Sequence, residues 1–233
     1  MIKRIHRRKS GKRELLIRRI IALGILAFLL LMIGFCSILL WKKFHKEQFS
    51  AFVKEHTKKV EEPEIEEVLL TPNEYSRPQL PLEKVKGIVI HYTANPKSDA
   101  MDNRNYFENL KETHLTFASS HFIIGLDGTI VQCIPLDEIA YASNERNADT
   151  ISIECCHKTK NGVFTNETYQ SLIKLTAWLC GKYDLGEEDI IRHYDVTGKI
   201  CPKYYVEHED SWKKLKQDVF EYIDIHALEE EDD

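Results

Sequence analysis

Three apolar segments of the sequence each end in a residue that can bind a metal ion or transfer a proton. The three pairs are residues 88–90 with His91, residues 151–153 with Glu154, and residues 190–192 with His193. Ligands in open α/β sheets gather beyond the carboxyl ends of the strands. If the segments are neighbouring strands, their terminal side chains therefore meet at one edge of a sheet. Cys201 follows His193 by eight residues and adds a thiolate to this set.

Two imidazoles and one thiolate suit a zinc ion and leave a fourth tetrahedral position for water, as catalytic zinc sites require. We interpret His91, His193 and Cys201 as the ligands of such a site. Zinc polarises a carbonyl group and lowers the pKa of bound water from about 15.7 toward about 7. Glu154 would take the proton from this water as a general base. Lys199, two residues before Cys201 and on the same side of an extended loop, would stabilise the oxyanion, a contribution of roughly 3 kcal/mol in comparable sites.

Each of these residues alone also has an ordinary structural interpretation, as a packed histidine, a buried thiol or an ion-paired carboxylate. The prediction therefore depends on their joint pattern. Residues that could hydrogen-bond a substrate in the adjoining groove are Thr93, Asn95, Asn144 and Asn147. His121, inside an apolar segment, is predicted to be a hydrogen-bonded core or site-wall histidine rather than a fourth ligand.

The segments that would position these residues alternate between strand and helix patterns. Short apolar runs predict strands at residues 87–91, 121–125, 129–134, 151–154 and 190–192. The intervening turn at residues 126–128 predicts a hairpin between the second and the third. Helical spacing predicts helices over residues 103–112, from a Thr165 cap to Tyr183, and from an Asp210 or Ser211 cap to about Ile225. The predicted class is α/β, with a mixed central β-sheet flanked by helices.

A long apolar run precedes this domain. Residues 20–41 are 22 nearly uninterrupted apolar positions, long enough at about 1.5 Å per residue to span a hydrocarbon core of roughly 30 Å. A cleaved signal peptide would have a shorter apolar region of about 7–15 residues and a small-residue cleavage site, so we predict an N-terminal transmembrane helix. Nine Lys/Arg precede the run and three follow it closely, which places the N-terminus in the cytoplasm and the rest of the chain outside.

The chain is accordingly predicted to have five parts. They are a cytoplasmic basic segment (residues 1–19), a transmembrane anchor (20–41), a stalk and linker (42–79), a catalytic domain (80–227) and an acidic tail (228–233). Residues 1–19 carry a charge of +8, so the overall charge of −5 leaves −13 for the other residues. Basic charge confined to the membrane flank argues against a nucleic-acid partner.

Four cysteines of the exterior part have no role in the predicted metal site: Cys133, Cys155, Cys156 and Cys180. An exterior domain favours disulfides. Cys155 and Cys156 point to opposite faces of a strand, so Cys133, on a candidate neighbouring strand, could pair with one of them. Free thiols are the alternative, and the sequence leaves this choice open.

Four segments resemble, in order, the type-2 family of N-acetylmuramoyl-L-alanine amidases, which includes phage lysozyme-type amidases and shares its fold with peptidoglycan recognition proteins. They are residues 88–94 (IVIHYTA), 120–128 (SHFIIGLDG), 152–154 (SIE) and 192–202 (RHYDV and KICP at its two ends). The resemblance covers about residues 80–215 and is most specific between His193 and Pro202.

The resemblance implies a zinc enzyme that cleaves the amide bond between N-acetylmuramic acid and L-alanine in peptidoglycan. By position it implies three zinc ligands and a catalytic lysine, which are His91, His193, Cys201 and Lys199. Some members have a tyrosine where this chain has Ser120, whereas others have a glutamate at the position of Glu154. The chain therefore resembles the glutamate-using branch.

Two other classes of function remain open from the sequence. One is a peptidoglycan-binding module without catalysis, and the other is a structural envelope or division protein in which the anchor and stalk matter most. Recognition proteins without catalysis typically lack the ligand cysteine. The combination of Cys201, Glu154 and Lys199 therefore favours the enzyme.

Overall fold

The structure, a computed structural model, describes residue 37 and residues 57–228. The predicted basic segment 1–19 and the predicted anchor 20–41, apart from Ser37, lie outside the described residues. The same holds for residues 42–56 of the predicted stalk and residues 229–233 of the predicted tail. Within the described part, no helix has the length and apolar character needed to cross a membrane.

The described chain contains six strands: β1 (Glu66–Glu67), β2 (Ile88–Tyr92), β3 (Phe122–Ile124), β4 (Ile130–Gln132), β5 (Ile151–Cys155) and β6 (Ile190–Arg192). They form one sheet in the order β1-β4-β3-β5-β2-β6. β3 and β4 are antiparallel, whereas β3, β5, β2 and β6 run parallel to one another. The predicted mixed sheet and its hairpin are therefore confirmed.

Residues 57–228 also contain five α-helices: α1 (Ala100–Thr113), α2 (Asn166–Tyr183), α3 (His193–Thr197), α4 (Lys203–Glu207) and α5 (Glu209–His226). Thr165 caps α2 as predicted, because its side chain accepts the backbone N–H of Thr168. α1 begins three residues earlier than predicted, behind an Asp99 cap. The predicted cap of the last helix is wrong, since α5 begins at Glu209. The backbone N–H of His208 closes α4, so α5 follows α4 directly without a side-chain cap.

The two faces of the sheet bury separate clusters of apolar side chains. Ile88, Ile90 and Phe122 pack on the side of α2 and α5, whereas Ile123 and Val131 pack on the side of α1. Successive strand residues point to opposite faces, so this alternation places the sheet between two layers of helix.

The cysteines follow the same alternation. Cys155 belongs to the cluster beneath α2 and α5, and Cys156 to the cluster beneath α1. All five cysteines within residues 57–228 are buried and free. Of the two alternatives left open by the sequence, the structure thus has free thiols at Cys133, Cys155, Cys156 and Cys180.

Residues 57–79, predicted to be the end of the stalk and linker, instead contribute to the domain. β1 lies in this segment and pairs with β4 at the edge of the sheet. Val60 and Leu70 are only 4% and 1% exposed. A segment without helix or strand patterns can also lie along a sheet and bury scattered apolar residues. The domain therefore starts earlier than the predicted residue 80.

A carboxylate on α1 fastens this segment to the domain. The backbone N–H and the hydroxyl of Thr71 donate to the two oxygens of Glu108 at 3.0 and 2.6 Å. Burial alone would raise the pKa of Glu108, but hydrogen bonds from Lys111 and Thr71, with the charge of Arg104, lower it to about 2. The ionised carboxylate is thus favoured by the folded state.

Candidate active site

The three central strands of the sheet bring the predicted site residues to one edge. In the register of β2 and β5, His91 lies opposite Glu154. Arg192, the last residue of β6, lies opposite Ile90, so His193 follows beside His91. The two imidazole centroids are 4.7 Å apart. The convergence expected at the carboxyl ends of these strands is therefore present.

The three predicted ligands are close enough to share one ion. One potential ligand atom from each of His91, His193 and Cys201 lies within 4.8 Å of the other two. The Sγ atom of Cys201 is 3.8 Å from Nδ1 of His91, and all three residues are buried. Bond lengths of about 2.0–2.3 Å place the ligand atoms of a tetrahedral zinc site roughly 3.5 Å apart. The donor set and its spacing therefore fit zinc.

An unpartnered nitrogen supports this fit. Nδ1 of His193 is buried and has no hydrogen-bond partner among the residues that the structure describes. Leaving a buried polar atom unpaired costs about 1–3 kcal/mol. A metal ion at the cluster would use the lone pair of this nitrogen.

The protonation states of the two imidazoles suit metal ligands. Burial lowers the pKa of His91, with further contributions from His193 and Lys199. Burial and the charge of Lys199 lower the pKa of His193. Both rings are therefore neutral, the form that binds metals. Burial and Glu154 raise the pKa of Cys201 to about 12, and a bound dication reverses such a shift by deprotonating the thiol.

Glu154 lies beside the three predicted ligands but is not part of their cluster. Its Oε1 atom is 4.0 Å from Nδ1 of His91, and its Oε2 atom is buried with no hydrogen-bond partner in the described chain. Burial raises the pKa of Glu154 to about 8, against the opposing charge of Lys199. A carboxyl group with a pKa near neutrality can both accept and release a proton at the pH of catalysis.

A cleft of about 390 Å³ opens onto the cluster and onto Lys199. Three of the residues predicted to contact a substrate, Thr93, Asn144 and Asn147, line it, whereas Asn95 is not part of its lining. Thr93 carries a buried hydroxyl without a partner among residues 57–228. The cleft thus offers both charge and hydrogen-bonding groups to a bound molecule.

Sequence reasoning missed three residues of the cleft region. Phe117 and Tyr141 form an aromatic wall, with ring centroids 5.8 Å apart. The hydroxyl of Ser143 lies 3.1 Å from Nε2 of His91. All three residues are in irregular loops, where neither periodicity nor spacing singles out a position. Only the exposure of Phe117, which is 58%, distinguishes it, and exposure is not visible in the sequence.

His121 and Ser120 serve the sheet. The backbone N–H of Ser152 donates to Nδ1 of His121 at 3.0 Å. Nε2 of His121 donates to the carbonyl of Glu138 at 3.0 Å. Both ring nitrogens are thus occupied, in agreement with the interpretation of His121 as a hydrogen-bonded histidine. The hydroxyl of Ser120 is 3.0 Å from the carbonyl oxygens of Phe122 and Ser152, which holds β3 beside β5.

The family model described as N-acetylmuramoyl-L-alanine amidase matches residues 81–204. The amidase CwlL of Bacillus licheniformis is 40% identical over 148 residues, which are 58% of this chain and 40% of CwlL. An endolysin of Enterobacteria phage T3 is 31% identical over 132 residues, which are 53% of this chain and 84% of the endolysin. This chain thus aligns with about two fifths of the length of CwlL.

Solved structures share the fold. A structure of PlyL superposes with a TM-score of 0.58 at 25% identity and covers 67% of this chain and 97% of PlyL. The catalytic domain of XlyA superposes with a TM-score of 0.57 at 24% identity and covers 67% of this chain and 99% of that domain. The likeness to the XlyA domain concerns the fold alone.

Proposed function

Because the chain belongs to the N-acetylmuramoyl-L-alanine amidase family, we propose that it is a zinc-dependent peptidoglycan hydrolase. Its reaction is the hydrolysis of the amide bond between N-acetylmuramic acid and the L-alanine of the stem peptide. The observation that carries the proposal is the cluster of His91, His193 and Cys201 at the base of a cleft. Family membership supports the type of bond, and the donor set supports the metal.

His91, His193 and Cys201 would hold the zinc ion. When bound, zinc supplies Lewis-acid chemistry, which polarises an amide carbonyl and makes water more acidic. The buried position of all three ligands keeps bulk water from competing for the metal and strengthens electrostatic interactions at the cluster.

Glu154 and Lys199 would perform the remaining chemistry. The free Oε2 atom of Glu154 takes a proton from the attacking water and returns it to the departing amine of L-alanine. Burial raises the pKa of this carboxyl group, which strengthens it as a base, and the protonated group can then serve as the acid. The ammonium of Lys199 lines the cleft and would balance the negative charge that develops on the carbonyl oxygen.

The location of the reaction is part of the proposal. The apolar run at residues 20–41, with its basic N-terminal flank, would anchor the chain in the cytoplasmic membrane and hold the hydrolase outside. Peptidoglycan lies on that side. A protease-protection assay on membrane vesicles of known orientation tests this arrangement. A catalytic domain that is cleaved when the cytoplasmic face of the membrane is exposed to the protease would contradict it.

The experiment that tests the activity is digestion of purified peptidoglycan by the detergent-solubilised full chain. We expect stem peptides with a free L-alanine amino terminus, identified by mass spectrometry, and glycan strands of unchanged length. Binding to peptidoglycan without released peptides would instead indicate a recognition module. Shortened glycan strands would indicate a different hydrolase.

Two variants distinguish the role of a metal ligand from the role of the general base. Glu154→Gln keeps the size of the side chain but removes the base, so activity should fall by roughly 10²–10⁴-fold while zinc content stays unchanged. Cys201→Ser should lose most of the zinc as well as the activity. Loss of zinc in Glu154→Gln, measured by elemental analysis, would show that Glu154 is a ligand and would overturn its assignment as base.

A further inference from the structure

Two consecutive residues in the loop before β5 each contact one of the clustered histidines. The hydroxyl oxygen of Ser143 lies 3.1 Å from Nε2 of His91. The side-chain oxygen Oδ1 of Asn144 lies 3.2 Å from Nε2 of His193. In His91, the contact leaves Nδ1 toward the Sγ atom of Cys201, 3.8 Å away. In His193, it leaves Nδ1 buried and without a partner among the described residues.

The contact with Asn144 determines which ring nitrogen of His193 carries the proton. Oδ1 of Asn144 is an amide oxygen and can only accept, so Nε2 of His193 must donate to it. A neutral imidazole has a single N–H, which leaves Nδ1 of His193 with a free lone pair and no partner in the described chain. If Nε2 of His91 donates to Ser143 in the same way, Nδ1 of His91 presents its lone pair toward Cys201, 3.8 Å away.

The loop that carries these two residues is itself held in place. Oδ1 of Asn147 accepts the backbone N–H groups of Ala142 and Ser143, at 3.0 and 2.6 Å. Asn144 has a φ of +52°, a left-handed conformation that asparagine tolerates better than most residues. Ser143 is 1% exposed, so water does not compete for its hydroxyl. The side chains of Ser143 and Asn144 are therefore held in place by contacts of their own loop.

The far end of the loop is anchored as well. The carboxylate of Asp149 accepts a hydrogen bond from Nε of Arg146 at 2.7 Å, and the hydroxyl of Thr150 donates to the carbonyl of Arg146 at 2.6 Å. The carbonyl of Asp149 accepts the backbone N–H of Lys86, just ahead of β2. The loop is thus tied to the neighbourhood of the strands that carry His91 and Glu154.

We infer that Ser143 and Asn144 are positioning residues that set the tautomer and the ring orientation of His91 and His193. Asn147 fixes the backbone that carries them, through its hydrogen bonds to residues 142 and 143. The inference rests on the proposed zinc site and adds to it the residues that prepare the ligands. It also gives Asn144 and Asn147 a role that needs no contact with a substrate. Groups that hydrogen-bond the outer nitrogen of a metal-binding histidine typically contribute 10–100-fold to metal affinity.

The experiment compares deletions and a rescue in the full chain. Ser143→Ala removes the hydroxyl that contacts His91. Asn144→Gly removes the acceptor for His193 but keeps the left-handed backbone accessible, whereas Asn144→Asp restores an acceptor oxygen. Asn109→Ala, on the exposed face of α1, is the matched control. The readouts are the zinc dissociation constant, from competition with a chelator, and the histidine tautomers of the metal-free protein, from ¹⁵N NMR.

We expect the wild type to show the Nε2–H tautomer for both rings without metal. Ser143→Ala should allow both tautomers of His91 but leave His193 unchanged, and Asn144→Gly should allow both tautomers of His193 but leave His91 unchanged. In each variant, the zinc dissociation constant should be at least 10-fold higher. Asn144→Asp and Asn109→Ala should stay within about threefold of the wild type. Unchanged tautomers and affinities in both deletion variants would overturn the inference.

The two proposals fail in different ways. If the wild type binds no zinc, the proposed function loses its metal, while the tautomers of the metal-free protein still test the roles of Ser143 and Asn144. If the wild type binds zinc and the deletion variants bind it equally well, the positioning roles fail and the zinc site remains.

Discussion

Acidification should destabilise the domain through His121, a histidine that is buried in its neutral form. Burial lowers the pKa of His121 to about 4, and the hydrogen bond to the carbonyl of Glu138 opposes this only in part. Its Nδ1 atom accepts from the backbone of Ser152, two residues before Glu154 on β5. Protonation of Nδ1 would break this bond and place a charge in the core beside the candidate active site.

The size of the effect follows from the two pKa values. His121 takes up its proton near pH 6.5 in the unfolded chain but near pH 4 in the folded one, so the unfolded state binds more protons between these values. The stabilisation is fully present above pH 6.5, declines as the pH falls, and is lost by pH 4. The difference corresponds to about 3 kcal/mol in total, of which about 2 kcal/mol is lost between pH 7 and pH 5.

The assay is urea unfolding of the wild type and of His121→Gln at several pH values. Glutamine keeps a hydrogen-bonding amide but does not titrate, and the other titrating groups are common to both proteins. The variant should be the less stable protein at pH 7, and its deficit should shrink by about 2 kcal/mol at pH 5. A deficit that stays constant over this range would refute the conclusion that His121 is neutral in the folded state.

Three further predictions address the edge of the domain and the cleft. Glu108→Gln should lower the free energy of unfolding by about 2 kcal/mol at pH 7 and leave it unchanged near pH 2. The low pKa of Glu108 stabilises the fold above about pH 4.5, and this contribution is lost as the pH falls to about 2. Urea unfolding at both pH values measures the difference, and an equal cost at both would contradict it. Gly181→Ala should destabilise α2 by about 1–3 kcal/mol, although alanine is favoured in helices by about 1 kcal/mol, because the added Cβ would lie 2.9 Å from the backbone of residues 58–59. Gly186→Ala, whose Cβ would approach nothing closer than 3.8 Å, is the control, and thermal unfolding should separate the two variants. Lys199→Met should lower kcat roughly 100-fold with zinc content unchanged, and a rise in KM alone would show that Lys199 binds the substrate instead.

The order of elements around the site could be predicted because each one has a local signal. Apolar runs that end in His91, Glu154 and His193 reveal strands together with their terminal residues. The turn at residues 126–128 reveals the hairpin that makes the sheet mixed. Such signals depend only on the conformational preferences of a few adjacent residues. The strands and the hairpin can therefore be predicted without knowledge of the rest of the chain.

The edge of the domain and the free thiols could not be predicted in this way. Val60 and Leu70 are isolated apolar residues in a proline-containing, charged segment, and nothing in their spacing distinguishes a core contact from a linker. Cys133 and Cys156 share a cluster, but whether two buried thiols pair depends on their distance and geometry. Both questions concern contacts between segments far apart in the chain.

The sequence by itself determined which chemical groups this protein has available: an imidazole or a carboxylate at the end of each of three apolar runs, and an ammonium and a thiolate in the segment after the last run. Only the tertiary structure decided how those groups are prepared. The parallel register of β5, β2 and β6 places His91 between Glu154 and His193. Burial shifts the pKa of the two imidazoles, the carboxyl group and the thiol, and a loop without any pattern of its own supplies Ser143 and Asn144. The physical reason is that residue type and local periodicity are encoded over a few positions, whereas desolvation and hydrogen-bond geometry arise only when distant segments pack together.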